Sequence, residues 1–223
     1  MNKIFLVWAA LIIFSGSVQA KEHHSEEGVT PAQALKFLQN GNARFLSGKL
    51  RKDGQRKTDI ARLVKGQKPH SIVLSCSDSR VPPEVVFDQK LGELFVVRTA
   101  GETLDPTSIA SIEYAVEHLG SRLILVMGHS HCGAVKAALS TFGGKDAGSP
   151  NLNKLVADIH PRIQAYSRAP ASDDVLKPAW ANAKGVASDL LLRSEILKKK
   201  AAAGEIELKS ALYDLRTGTV EIE

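Results

Sequence analysis

"SIVLSCSDSR", residues 71–80, divides into two halves of opposite character. Residues 71–75 are a short apolar run with β-branched side chains, preceded by Pro69 and followed by a polar cluster. That pattern predicts a buried strand. Ile72-Val73-Leu74 shows no polar alternation, so both faces of the strand need cover. "LFVVR" (94–98) and "LILVM" (123–127) repeat this character. Helices lie between and after them. Pro82-Pro83-Glu84 opens a short one, and Pro106 begins "PTSIASIEYAVEHLG", apolar at 109, 112, 116 and 119 and closed by Gly120. Gly133 starts "GAVKAALS". Uniformly apolar strands alternating with helices predict an α/β fold, a mostly parallel β-sheet flanked by helices.

Outward from this centre, Thr30-Pro31-Ala32-Gln33 reads as a capping box with proline at the first helical position. Leu35, Leu38 and Phe45 give that helix an apolar face, and "RKDGQRKTD" (51–59) reads as a charged loop. Residues 151–168 and 179–200 read as further helices, and "EIELKSALYDL" and "TVEIE" as a closing hairpin-like pair around "RTG". Residues 1–20 have the layout of a secretory signal peptide: Lys3, an apolar run from Ile4 to Phe14, and a small-residue cleavage site ending at Ala20. The apolar run is short for a membrane span. Residues 21–29 are polar and expected to be disordered, leaving 30–223 as a single catalytic α/β domain of ordinary size. The expected destination is outside the cytoplasm, a periplasm above all, with no membrane contact after cleavage. The net charge of +5 is scattered and no basic patch is interleaved with aromatics, so nucleic acid is not an expected partner.

Ligands bind parallel sheets beyond the carboxyl ends of the strands. "CSDSR" follows strand 71–75 and "GHSHC" follows strand 123–127, so both emerge at one edge. Cys76, Cys132 and one of His129 or His131 then offer two thiolates and an imidazole, a set suited to Zn²⁺ with a fourth position open. The H-x-x-C spacing favours His129, because one turn can aim both residues at one ion, whereas His131 adjoins Cys132 and should diverge. Cys132 also precedes a helix start, where a thiolate is favoured. The rival reading is a Cys76–Cys132 disulfide in an exported binding protein without metal. A disulfide, however, has no use for Asp78, Arg80 or His129. Beside a metal, Asp78 can orient a water while Arg80 holds it by a bidentate pair. Alternatively Asp78 is itself the fourth ligand and closes the site.

"CSDSR" followed by "GHSHCG" resembles the C-x-D-x-R and H-x-x-C-G signature of the β-class carbonic anhydrases. "ELFVVRTAG", "SIASIEYAVEHLG" and "ALYDLRTGTV" resemble further family segments, and the likeness runs from about Thr30 to the C-terminus. The resemblance implies Cys76, His129 and Cys132 as ligands of one zinc per subunit, and Asp78 and Arg80 as the catalytic dyad. It implies Gln67, Phe95, Tyr114 and Gly133 in the substrate pocket, part of which the family builds from a second subunit. Packing within the core is an equal alternative for Tyr114. The implied assembly is a homodimer or homotetramer. Two departures stand out. Many members carry Asn where this chain has Thr99 and Glu102, and the bicarbonate-inhibited subset carries Trp where this chain has Val73. With Arg98 but no Trp, the chain looks like the open type.

The implied chemistry is reversible hydration of CO₂ to bicarbonate and a proton. Val81, Phe95 and Ala100 are candidates for the small apolar cleft that CO₂ needs, and His131 is a candidate proton shuttle. A hydrolase of carbonyl sulfide or carbon disulfide would use the same zinc set, and the motifs barely separate the two.

Overall fold

The structure, a computed structural model, describes residues 28–168 and 174–223. The expected signal peptide and most of the polar segment 21–29 lie outside the described residues. Helix α1 (Pro31–Leu46) opens with the expected capping box, Thr30 Oγ1 accepting from Gln33 N–H and the Gln33 side chain from Thr30 N–H. Helix α2 (Lys57–Leu63) follows, and corrects the reading of 51–59 as loop throughout. Next come β1 (Ser71–Cys76), α3 (Pro83–Val86), β2 (Leu94–Thr99) and a 3₁₀ turn at Ala100–Glu102. Helix α4 (Pro106–Leu119), β3 (Leu123–His129), α5 (Gly133–Ser140) and α6 (Pro150–Ile159) continue the chain. After a 3₁₀ segment at His160–Tyr166 the chain closes with α7 (Leu176–Arg193), α8 (Glu195–Ala202), β4 (Glu207–Tyr213) and β5 (Val220–Ile222).

The sheet order is β2-β1-β3-β4-β5, with β5 alone antiparallel to its neighbour. From β1 the chain steps one way to β2, then crosses back to β3 on the other side. The order therefore reverses between β1 and β3, the position at which open α/β sheets form a ligand crevice. Helices cover both faces. Val73, Leu125 and Met127 pack with Leu38, Phe87 and Ile159 on one side, and Ile72, Leu74 and Ile124 with Ile112, Val186 and Leu190 on the other. Both clusters are buried, which explains why these strands carry no polar alternation. Among the described residues no helix is long and apolar enough to cross a membrane.

Two long helices expected from sequence are each broken. Pro161 has no N–H to continue the ladder, so the helix expected over 151–168 tightens into 3₁₀ geometry after Ile159. The helix expected over 179–200 begins at Leu176 and breaks at Ser194, which ends α7 in extended geometry and caps α8 by accepting from Leu197 N–H. Its hydroxyl also donates to Glu113 on α4.

Candidate metal centre and active site

The strands deliver three ligands to the crevice. β1 ends on Cys76, β3 ends on His129, and Cys132 is the N-cap of α5. The intervening His131 is left-handed, with φ 56°, which turns the chain tightly enough for Cys132 to face back beneath His129. The two sulfurs and a ring nitrogen lie within 4.8 Å of one another, and all three side chains are buried. His131 is exposed, in keeping with its expected divergence.

The donor set fits zinc. The two Sγ atoms stand 4.0 Å apart. Two thiolates at ~2.3 Å from a tetrahedral ion would be separated by roughly 3.8 Å. A disulfide would need about 2.05 Å, and both cysteines are free. His129 Nδ1 donates to the Ser130 carbonyl at 2.8 Å, which leaves the lone pair on Nε2. That Nε2 is buried and has no hydrogen-bond partner. A buried nitrogen acceptor left open in this way is the state a metal satisfies. The thiols make the same case. The shared hydrogen bond with Cys132 is the chief reason Cys76 lies far below the ordinary thiol range, while that bond and burial push Cys132 up. A divalent cation bound between them would allow both sulfurs to ionise.

Asp78 stands at the mouth of this cluster, its Oδ2 3.9 Å from His129 Nε2. Arg80 holds both carboxylate oxygens, Nε donating to Oδ1 at 2.9 Å and a terminal nitrogen to Oδ2 at 2.7 Å, and its backbone N–H adds a bond to Oδ1 at 3.0 Å. The Arg80 bond is the main reason the carboxyl lies far below its usual range. Sequence reasoning gave Arg98 no role in this loop. Its guanidinium donates to the carbonyls of Cys76 (2.9 Å) and Asp78 (2.6 Å), fixing the backbone that carries both side chains. Gly101 N–H points at Cys76 Sγ from 3.3 Å.

The expected pocket residues divide. Gly133 follows Cys132 at the first position of α5, Val81 lies on the loop after β1, and Ala100 begins the 3₁₀ turn after β2, at the same sheet edge. Phe95 pairs with Ile72, four positions before the Cys76–Thr99 pair, which is about 13 Å along the strand. Tyr114 lies beside it, ring centroids 6.5 Å apart, and is half exposed rather than packed in the core. Gln67 is exposed before β1, at the strand end opposite Cys76. Within one chain, then, Gln67, Phe95 and Tyr114 do not border the metal cluster.

The family model described as carbonic anhydrase matches residues 71–220, from the first residue of β1 to the first of β5. A carbonic anhydrase of Mycolicibacterium smegmatis is 38% identical over 193 residues, 86% of this chain and 93% of that protein. Among solved structures, the β-carbonic anhydrase of Coccomyxa in complex with acetazolamide has a TM-score of 0.62 at 28% identity, covering 72% of this chain and 74% of that one. A tetrameric β-carbonic anhydrase of Sordaria macrospora gives 0.67 at 24% identity, over 75% and 87%, and shares the fold. With sequence likeness along nearly the whole domain and the Cys-His-Cys cluster at the sheet's switch point, the chain belongs to the β class of the carbonic anhydrase family.

Proposed function

We propose that this chain is an exported, zinc-dependent enzyme that reversibly hydrates CO₂ to bicarbonate and a proton, with Cys76, His129 and Cys132 holding the metal. The observation that carries the reading is the orphaned, buried His129 Nε2 between two free thiols, beside a carboxylate already engaged by arginine. Bound there, zinc supplies a Lewis acid that brings the pKa of water to about 7. Asp78 accepts a hydrogen bond from the attacking water and so fixes the direction of its lone pair. Arg80 engages both oxygens of that carboxylate and so would hold it back from a bound metal, while Arg98 fixes the Asp78 backbone. Asp78 would become a fourth ligand only on release from Arg80. Val81 and Ala100 offer apolar walls for CO₂.

Gln67, Phe95 and Tyr114 enter the pocket from a second copy of the chain, which makes the working unit a homodimer or a larger assembly. Val73, fully buried in the sheet, stands where the bicarbonate-inhibited type carries Trp, which supports the open type. The leader-like residues 1–20 support export to a periplasm. Stopped-flow CO₂ hydration of the purified protein tests the reading. Turnover that disappears with a chelator and returns with zinc is expected; background rates at full zinc occupancy would overturn it.

A further inference from the structure

The geometry points to Glu102 as a positioning residue for the Cys76 sulfur: by gripping Asn182 it locks the turn that aims the Gly101 amide at that atom. The inference rests on the zinc reading above and extends it to two residues that reading does not use.

Gly101 (φ 68°) and Glu102 (φ 55°) are consecutive left-handed residues. Glycine takes that conformation freely, but glutamate does so only when its surroundings hold it there. The space is also closed. A Cβ at position 101 would lie 2.8 Å from Ile159 Cδ1 and 2.9 Å from the Ala134 Cβ, so the turn is wedged between α6 and α5, the helix that Cys132 caps. What holds it is Asn182 of α7, itself fully buried. Asn182 Nδ2 donates to the Gly101 carbonyl at 2.8 Å and to Glu102 Oε2 at 3.1 Å. Its Oδ1 faces Arg162 at 3.5 Å, and Arg162 is tied to Asp158 and Asp189. A continuous polar chain thus runs from two acids on the helices to the amide that meets Cys76 Sγ at 3.3 Å.

Glu102 is 1% exposed and its Oε1 has no partner, an arrangement that a purely structural site tends to replace with apolar packing. Burial, then the charge at Cys76, raises its carboxyl well above the ordinary range. Hydrogen bonds to a metal-binding sulfur tune the donor, and losing such outer contacts typically weakens metal binding 10–100-fold.

The test compares zinc-loaded wild type, Glu102→Gln and Glu102→Gly in the full chain. Two readouts are followed: the rate of zinc loss to a chromogenic chelator, and the sulfur-to-metal absorption band after cobalt substitution. Glu102→Gly suits the left-handed position, so it should fold yet release zinc about 10–100-fold faster with a shifted band. Glu102→Gln presents the same oxygen to Asn182 and should match wild type in both. The inference is overturned if Glu102→Gly matches wild type, or if Glu102→Gln releases zinc as fast as Glu102→Gly. Should Glu102→Gly not fold, Glu102→Asn takes its place: it tolerates the left-handed position but is one methylene too short to keep the same grip on Asn182, so zinc release faster than that of Glu102→Gln supports the role and a wild-type rate sinks it. Wild type that takes up no zinc would instead overturn the metal reading itself, a failure visible without any variant.

Discussion

Asp78 has two claims on it, the Arg80 fork and the cluster 3.9 Å away, and in this structure the fork has both oxygens. Asp78→Asn keeps the shape but removes the charge and one of the acceptor oxygens. None of the three candidate ligands is altered, so zinc content should stay at one per chain, while turnover falls about 100-fold or more, the usual weight of a positioned proton acceptor. Zinc stoichiometry and stopped-flow rates on the same sample check this, and undiminished turnover would remove Asp78 from the chemistry. The spacing of Cys76, Asp78 and Arg80 was legible because all three lie within five consecutive residues where β1 runs out, and the H-x-x-C turn at the end of β3 was legible for the same reason. Arg98, Gly101, Glu102 and Asn182 were not, because their roles run through backbone carbonyls, an amide and partners up to 81 positions apart. Arg98 did leave one trace, a lone charge at the end of an apolar strand.

Elements were legible where burial wrote a pattern. The three central strands are apolar on both faces because both faces are covered, and α1 and α4 declare themselves through their caps. Helix α2 buries no residue, so it left no periodic stripe to read. The break at Ser194 is likewise invisible in "LLLRSEILKKK", since the hydroxyl's partner Glu113 is on another helix. Close docking of α1 is a third case. Asn42 ties it to Val86, Gly218 and Val220, and the neighbouring Gly41 lets the helix approach the end of α3. A Cβ on Gly41 would fall 1.6 Å from the Phe87 carbonyl oxygen, which is backbone and cannot swing away. Replacing glycine by alanine inside a helix ordinarily stabilises by up to ~1 kcal/mol. Here the sign should reverse: Gly41→Ala should lose about 3 kcal/mol through overpacking. For a chain of this size that lowers the melting temperature by roughly 6–12 °C. A variant melting at or above wild type would show that α1 sits further from α3 than the structure has it.

Across the whole molecule, the metal cluster joins parts of the chain that are 56 positions apart, the end of β1 and the start of α5. Each ligand already has a rigid support: Arg98 under Cys76, the Ser130 carbonyl on His129, and the α5 N-terminus at Cys132. The folded chain therefore offers zinc a formed site, whereas the unfolded chain has two distant cysteines and a histidine. A ligand that binds the folded state alone stabilises it by mass action, about 2.7 kcal/mol when free metal stands at 100 times its dissociation constant. Removing it also leaves the buried His129 Nε2 without a partner, at a cost that adds to the loss of binding. Chelator-stripped protein should thus melt about 5–10 °C below the zinc-loaded form, and added zinc should restore the difference while magnesium, which prefers oxygen ligands, should not. Equal melting temperatures for the stripped and loaded forms would mean that zinc does not tie β1 to α5, and would remove the metal from the account of what holds this fold together.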